Sequence, residues 1–236
     1  MEAIILSITP YKEKDAIINA LSKEEVFSFQ AKGILSSSSK NIAINNPLTF
    51  ADLEFVESKA GKKILKSSDI KFTPMELMGK AMEMTLIMIL QEVVAKCLEN
   101  DEKITIYNNL VSLLKNIKKS KYIYTSTLFF LFDVLKVSGY EFNVGGCHIC
   151  GSKKDIAAFS FDDGGFICKN CLGENHLLDL SGEQILEIRK IYLTSNLKDI
   201  NFEISKDDFI PIFKKTILFI QDCYGLKLKN MELLFE

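Results

Sequence analysis

The chain has 236 residues, 47% of them hydrophobic, and 29 Lys plus Arg against 31 Asp plus Glu. That length allows one large domain or two modest ones with an ample core, and the balanced charge excludes the strongly basic domain that most simply signals nucleic acid. Arg189 is the sole arginine, so cationic work falls to lysine and bidentate readout of bases or phosphates is nearly closed off. From the amino end, the predicted elements are short strands over residues 3–8, 15–21, 26–35, 48–57 and 62–70. In the third, Phe27, Phe29 and Ala31 alternate with Ser28, Gln30 and Lys32, the period of a half-buried strand. Five such strands predict a small barrel, with an OB-fold the leading five-stranded candidate.

After Thr73-Pro74 the pattern turns helical. Helices are predicted over 75–98, 104–117 and 123–137, the last ending at Ser138-Gly139. Ser181 with Gln184 three residues on predicts a capped helix start. A final helix is predicted over 206–224, with Pro211 near its first turn delaying its start. The expected fold class is therefore α+β: an OB-fold barrel over 1–75, then a helical domain over 76–236 carrying an inserted hairpin at 147–171. No apolar run reaches the ~18 residues a membrane span needs, so no membrane is expected and the default location is the cytoplasm.

Four cysteines carry the strongest chemical signal. Cys147 and Cys150, then Cys168 and Cys171, form two C-x2-C pairs separated by 17 residues, the spacing of a four-thiolate zinc site. Gly151 follows the first pair, and glycine can take the positive φ that such a knuckle requires. Between the pairs, two apolar stretches flank Asp162-Asp163-Gly164-Gly165 and read as a hairpin that returns the second pair to the first. Four thiolates fill a tetrahedral shell and leave no position for substrate, so one zinc is expected and its role structural. Disulfides suit a secreted domain, and Met1-Glu2-Ala3 opens no signal segment; a thioredoxin-like motif needs one such pair, not two. Cys97 and Cys223 fall in helical patterns as small buried hydrophobes. His148, inside the first knuckle, reads as a solvated residue, and His176 as unremarkable.

Other features are weaker. Met75, Met78, Met82, Met84 and Met88 crowd one predicted helix, as ordinary core or as an adaptable groove. Lys115, Lys118, Lys119 and Lys121 end another, where cations suit the helix dipole as well as phosphate. Lys62 and Lys63 flank a predicted hairpin, and Tyr11 is the best candidate to stack on a base. With two histidines, no nucleophile elbow and no phosphate-cradling glycine loop, an enzyme is not expected.

Several stretches together resemble one family. They are Pro10-Tyr11-Lys12-Glu13-Lys14-Asp15, with Lys12 where glycine is usual; Ala31-Lys32-Gly33; Gly139-Tyr140-Glu141-Phe142-Asn143 leading into the first knuckle, with Phe142 where proline is common; the cysteine hairpin; and Gly225-Leu226-Lys227-Leu228-Lys229. In this order they resemble the RecO family of bacterial DNA repair and recombination proteins, of the RecF pathway. The resemblance implies an OB-fold, a zinc-bearing helical domain, binding of single- and double-stranded DNA, and annealing of complementary strands. It also implies nucleoid association and work with RecR to load RecA onto DNA coated by single-stranded DNA-binding protein. DNA contacts are then expected from Tyr11, Lys32, Lys40, Lys62 and Lys63, with Lys115–Lys121 as the other candidate. Contacts to the coat protein's acidic tail are expected on the helical domain, near Lys115–Lys121 or Lys214, Lys215, Lys227 and Lys229. One departure is Ser36-Ser37-Ser38-Ser39-Lys40, where relatives are rich in arginine and lysine.

Overall fold

Alternating apolar residues close the amino-terminal strands on themselves. A computed structural model of the chain, describing residues 1–173 and 180–234, has β1 (Glu2–Tyr11), β2 (Asp15–Leu21), β3 (Val26–Ala31), β4 (Phe50–Glu57) and β5 (Lys63–Phe72). They form a closed barrel in the order β1-β2-β3-β5-β4. Neighbours pair antiparallel except β3 and β5, which run parallel through Gln30 and Ile64. This is the connectivity of an OB-fold. Ala3, Ile5, Ile18, Ala20, Phe29 and Leu53 fill the interior, and a 3-10 turn at Ile42–Asn45 adds Ile44.

Two strand ends differ by more than two residues from those expected. β3 stops at Ala31 rather than 35, because Gly33 turns the chain at φ +65° and its amide donates to the Asp15 carboxylate at 2.8 Å. β1 runs on through Pro10 to Tyr11. There β4 no longer pairs with β1, meeting only Glu2–Ile4, so the proline lies where one edge is free.

The helices are α1 (Ala81–Cys97), α2 (Asn100–Lys118), α3 (Ile123–Val137), α4 (Gly182–Tyr192) and α5 (Lys206–Tyr224). α1 begins six residues later than expected. Pro74–Leu77 forms a separate 3-10 turn and Gly79 sits at φ +87°, which breaks the run. The five methionines therefore do not share a helix: Met75 and Met78 are exposed ahead of it, and Met82, Met84 and Met88 are half-buried on it. α2 starts earlier than expected, at Asn100, because Glu99 and Glu102 form a reciprocal cap. Pro211 does not delay α5, whose first turn is capped by Ser205 accepting from the Asp208 amide at 3.0 Å.

Packing divides the chain into two compact units, Met1–Ser120 with Leu228–Glu236, and Lys121–Lys227. The division expected at residue 75 follows the change from strand to helix; packing keeps α1 and α2 with the barrel. α2 lies on β2, β3 and β5. Its Lys118 ammonium donates to the Lys71 carbonyl at 2.6 Å, and Lys115 reaches 5.7 Å from the centre of the Phe50 ring. The carboxyl-terminal segment returns to α1 through Glu92, which accepts from the Lys229 backbone amide at 2.7 Å, the Asn230 side-chain amide at 2.9 Å and the Lys96 ammonium at 3.3 Å. Glu92→Ala leaves these donors without that acceptor and is expected to destabilise the first unit by about 1–3 kcal/mol, measured by urea denaturation. A change within about 0.5 kcal/mol would show that water replaces the carboxylate at no cost.

In the second unit, α3 packs with α4 and α5. Tyr122 precedes α3 at φ 51° and offers no side-chain cap. Glu203 supplies one from a distant loop, accepting the Tyr124 amide at 2.7 Å. Burial pushes the Glu203 carboxyl above its ordinary range, while hydrogen bonds from Tyr124 and Thr125 oppose the shift. Phe142 joins the cysteine hairpin to the helices: its ring lies 5.1 Å from Phe159, 5.4 Å from Phe161 and 5.2 Å from Phe219. Its amide donates to the Tyr192 hydroxyl at 2.9 Å. Phe142→Ala is expected to cost about 3–5 kcal/mol, read as a lower denaturation midpoint of this unit; a cost below about 1 kcal/mol would contradict its anchoring role.

Candidate metal centre and nucleic-acid groove

The cysteine hairpin is a three-stranded sheet with one strand more than the sequence reading supplied. β6 (Asn143–Cys147), β7 (Ile156–Ser160) and β8 (Gly165–Cys168) lie in the order β6-β8-β7. β7 and β8 form the expected antiparallel hairpin, and β6 joins β8 in parallel. Cys147 ends β6 and Cys168 ends β8, so the sheet brings one cysteine of each pair side by side. In the first knuckle the Gly151 amide returns to the Cys147 carbonyl at 2.8 Å, with Gly151 at φ +74°. In the second, the Cys171 amide returns to the Cys168 carbonyl at 3.0 Å. Gly165 does more than turn the hairpin: a Cβ there would lie 2.3 Å from the Asn143 carbonyl oxygen, so only glycine lets β6 approach β8.

The four sulfurs all lie within 4.8 Å of one another, with Cys150 Sγ and Cys168 Sγ at 3.6 Å. Metal–sulfur bonds of about 2.3 Å in a tetrahedron require sulfur–sulfur edges of about 3.8 Å, so the donor set fits one tetrahedral ion. Cys147 and Cys168 are buried against Ala158 and Ile167, Cys171 is half-buried and Cys150 is exposed. Burial resists ionisation of Cys147, but hydrogen bonds from backbone groups of Cys168, Cys150 and Ile149 outweigh it and lower the thiol to about 6. Cys171 is pushed up to about 12, first by its hydrogen bond with Cys150 and then by burial. Neighbouring thiols competing for charge in this way are what a divalent cation relieves. His148, inside the first knuckle, is exposed, and His176 lies outside the described residues.

A second feature sits on the barrel. Tyr11, Lys62 and Lys63, separated by half the strand sequence, line one groove of about 640 Å³ with Ile17, Phe27, Ser28, Phe29, Gln30 and Gly61. Tyr11 is 46% exposed, and the Lys12 ammonium lies 5.3 Å from the centre of its ring. Lys63 is ion-paired with Glu25 at 3.1 Å and lies 4.7 Å from the centre of the Phe27 ring. Phe27 and Phe29 are buried on the core side, as their alternation predicts, yet both also line the groove. That second role was not read from the sequence, although two aromatic residues two apart on a strand beside a lysine-bearing hairpin carry the signal.

The remaining candidate lysines are not gathered there. Lys32 and Lys40 are exposed but do not line the groove. Lys115, Lys118 and Lys119 end α2 in the first unit, with Lys118 also paired to Glu76 at 3.2 Å, and Lys121 opens the second unit. Lys214 and Lys215 lie on α5 and Lys227 follows it, whereas Lys229 belongs to the first unit. Among the described residues, no helix is long and apolar enough to cross a membrane.

One chain thus combines an OB-type barrel with helices and a four-thiol cluster. The family model described as recombination protein O C terminal matches residues 83–232, and the chain belongs to the RecO family. It is similar to the DNA repair protein RecO of Exiguobacterium sibiricum, 25% identical over 245 residues covering 99% of this chain and 94% of that one. The DNA repair protein RecO of Mycoplasma mycoides is 24% identical over 244 residues, covering 99% and 96%. That of Syntrophomonas wolfei is 25% identical over 175 residues, covering 72% and 68%.

Proposed function

We propose that this protein is a DNA repair and recombination mediator that binds single- and double-stranded DNA and anneals complementary strands. With RecR, it helps load RecA onto DNA coated by single-stranded DNA-binding protein. Family membership supports the repair and recombination role, and the groove bringing Tyr11, Lys62 and Lys63 together is the observation that carries the DNA-binding part. An aromatic ring beside lysines suits a single strand: the ring stacks on a base of any identity, and the ammonium groups meet phosphates. Annealing asks no bond-making of the chain, only that strands be held and released, so the reading is of a mediator rather than an enzyme. Residues 1–75 act as the DNA-facing barrel and 76–236 as the helical domain, whose lysines at 115–121 or 214, 215, 227 and 229 would meet the acidic tail of the coat protein. The protein would work in the cytoplasm at the nucleoid.

The metal is zinc, held by Cys147, Cys150, Cys168 and Cys171 and structural in role. When bound, it ties the two knuckles together and adds folding free energy. The near-zero net charge favours a second reading, a ribbon adaptor that binds only protein. Fluorescence titration of bare single-stranded oligonucleotide at several salt concentrations separates them. Affinity that falls as a power of salt concentration supports DNA binding through phosphates; no binding at low salt supports the adaptor.

A further inference from the structure

The four cysteines differ in exposure. Cys147 and Cys168 are buried, Cys171 is half-buried, and Cys150, the second cysteine of the first knuckle, is exposed. Cys150 Sγ also faces Cys168 Sγ across the two knuckles at 3.6 Å. We propose that Cys150 is an oxidation site, the thiolate that hydrogen peroxide reaches first, and that it closes a disulfide with Cys168 that releases the metal. The proposal rests on the zinc reading above.

The thiolate is the nucleophile in this chemistry, and metal ligation requires deprotonated cysteines. Cys150 Sγ attacks one peroxide oxygen, the O–O bond breaks, hydroxide leaves, and Cys150 becomes a sulfenic acid. The Cys168 thiolate then attacks that sulfur, forms the S–S bond and displaces a second hydroxide. Two thiolates have given up two electrons, and the peroxide has been reduced to two hydroxides. Cys147 and Cys171 remain, two ligands where a structural zinc needs four. The new cross-link spans the same 17 residues that the metal closed, so the ribbon stays tied at its base after the metal has gone. Cys97 and Cys223 compete poorly. Burial pushes the Cys97 thiol up to about 11, and it raises Cys223 as well.

The full chain, purified without chelator, is titrated with hydrogen peroxide while zinc release is followed with a chromogenic chelator. Thiols are then alkylated and unreduced peptides mapped by mass spectrometry. Bound zinc is expected to fall from about one per chain to none in step with a Cys150–Cys168 cross-link. Cys97 and Cys223 should remain alkylatable, and a thiol reductant with added zinc should restore the metal. Zinc retained through a large excess of peroxide overturns the proposal, as does a first cross-link that omits Cys150 or joins it to another cysteine. Absence of zinc before any peroxide is added overturns the zinc reading itself, a result distinct from either of these.

Discussion

Cys168→Ser is expected to abolish stoichiometric metal binding and to lower the melting temperature of the second unit by roughly 10–20 °C, equivalent to a few kcal/mol. Structural zinc contributes roughly 10–16 kcal/mol of apparent binding free energy in small zinc peptides, and a hydroxyl is a poor replacement for one of four thiolates. Cys168 is also buried at the end of β8, beside Cys147, Ala158 and Ile167, so the substitution leaves a polar group in an apolar floor. Cys97→Ser makes a matched control. Cys97 is buried on α1 in the first unit, and its replacement should cost about 1–3 kcal/mol with metal content unchanged. Elemental analysis and thermal melts of the two variants check this. Equal metal loss in both, or none in either, would contradict a centre built on the four ribbon cysteines.

Removing both groove lysines, as Lys62→Gln with Lys63→Gln, is expected to weaken single-strand binding and to flatten its salt dependence. Every phosphate that goes without its lysine lowers the slope by about 0.7 for a single strand, so the pair should account for roughly one to one and a half units. Lys63 already pairs with Glu25, so Lys62 is expected to carry the larger share. Tyr11→Ala should cost about 1–3 kcal/mol of binding with the slope unchanged, because stacking involves no counterion release. The paired replacement of Lys32 and Lys40, which lie outside the groove lining, is the informative comparison. A slope that changes only with that pair, or only with replacement of Lys115–Lys121, would move the DNA path away from Tyr11.

The barrel was legible because its strands alternate: Phe27, Phe29 and Ala31 point inward as their period requires. The α3 boundaries and the Ser181 cap were equally readable, since an apolar run ending at Ser138-Gly139 and a serine followed by Gln184 are local signals. Part of what escaped was set by residues distant in sequence. β6 depends on Gly165 admitting the Asn143 carbonyl, and the cap on α3 comes from Glu203. The break before α1 depended on Gly79 and the Thr73 cap, masked by good helix formers on either side. The four-cysteine cluster was readable from residue types and spacing. The groove was readable only as separate lysines and a tyrosine, because barrel closure, not sequence proximity, assembles it.

Whether this chain mediates recombination by handling DNA strands is decided by an annealing assay. Complementary oligonucleotides, bare or coated with single-stranded DNA-binding protein, are mixed with the 236-residue chain, and duplex formation is followed by fluorescence quenching. Both bare and coated strands should anneal faster with the protein present, and the Tyr11→Ala and Lys62→Gln, Lys63→Gln proteins should be slower than the parent. Annealing no faster than without protein, for bare and coated strands alike, would contradict a mediator role.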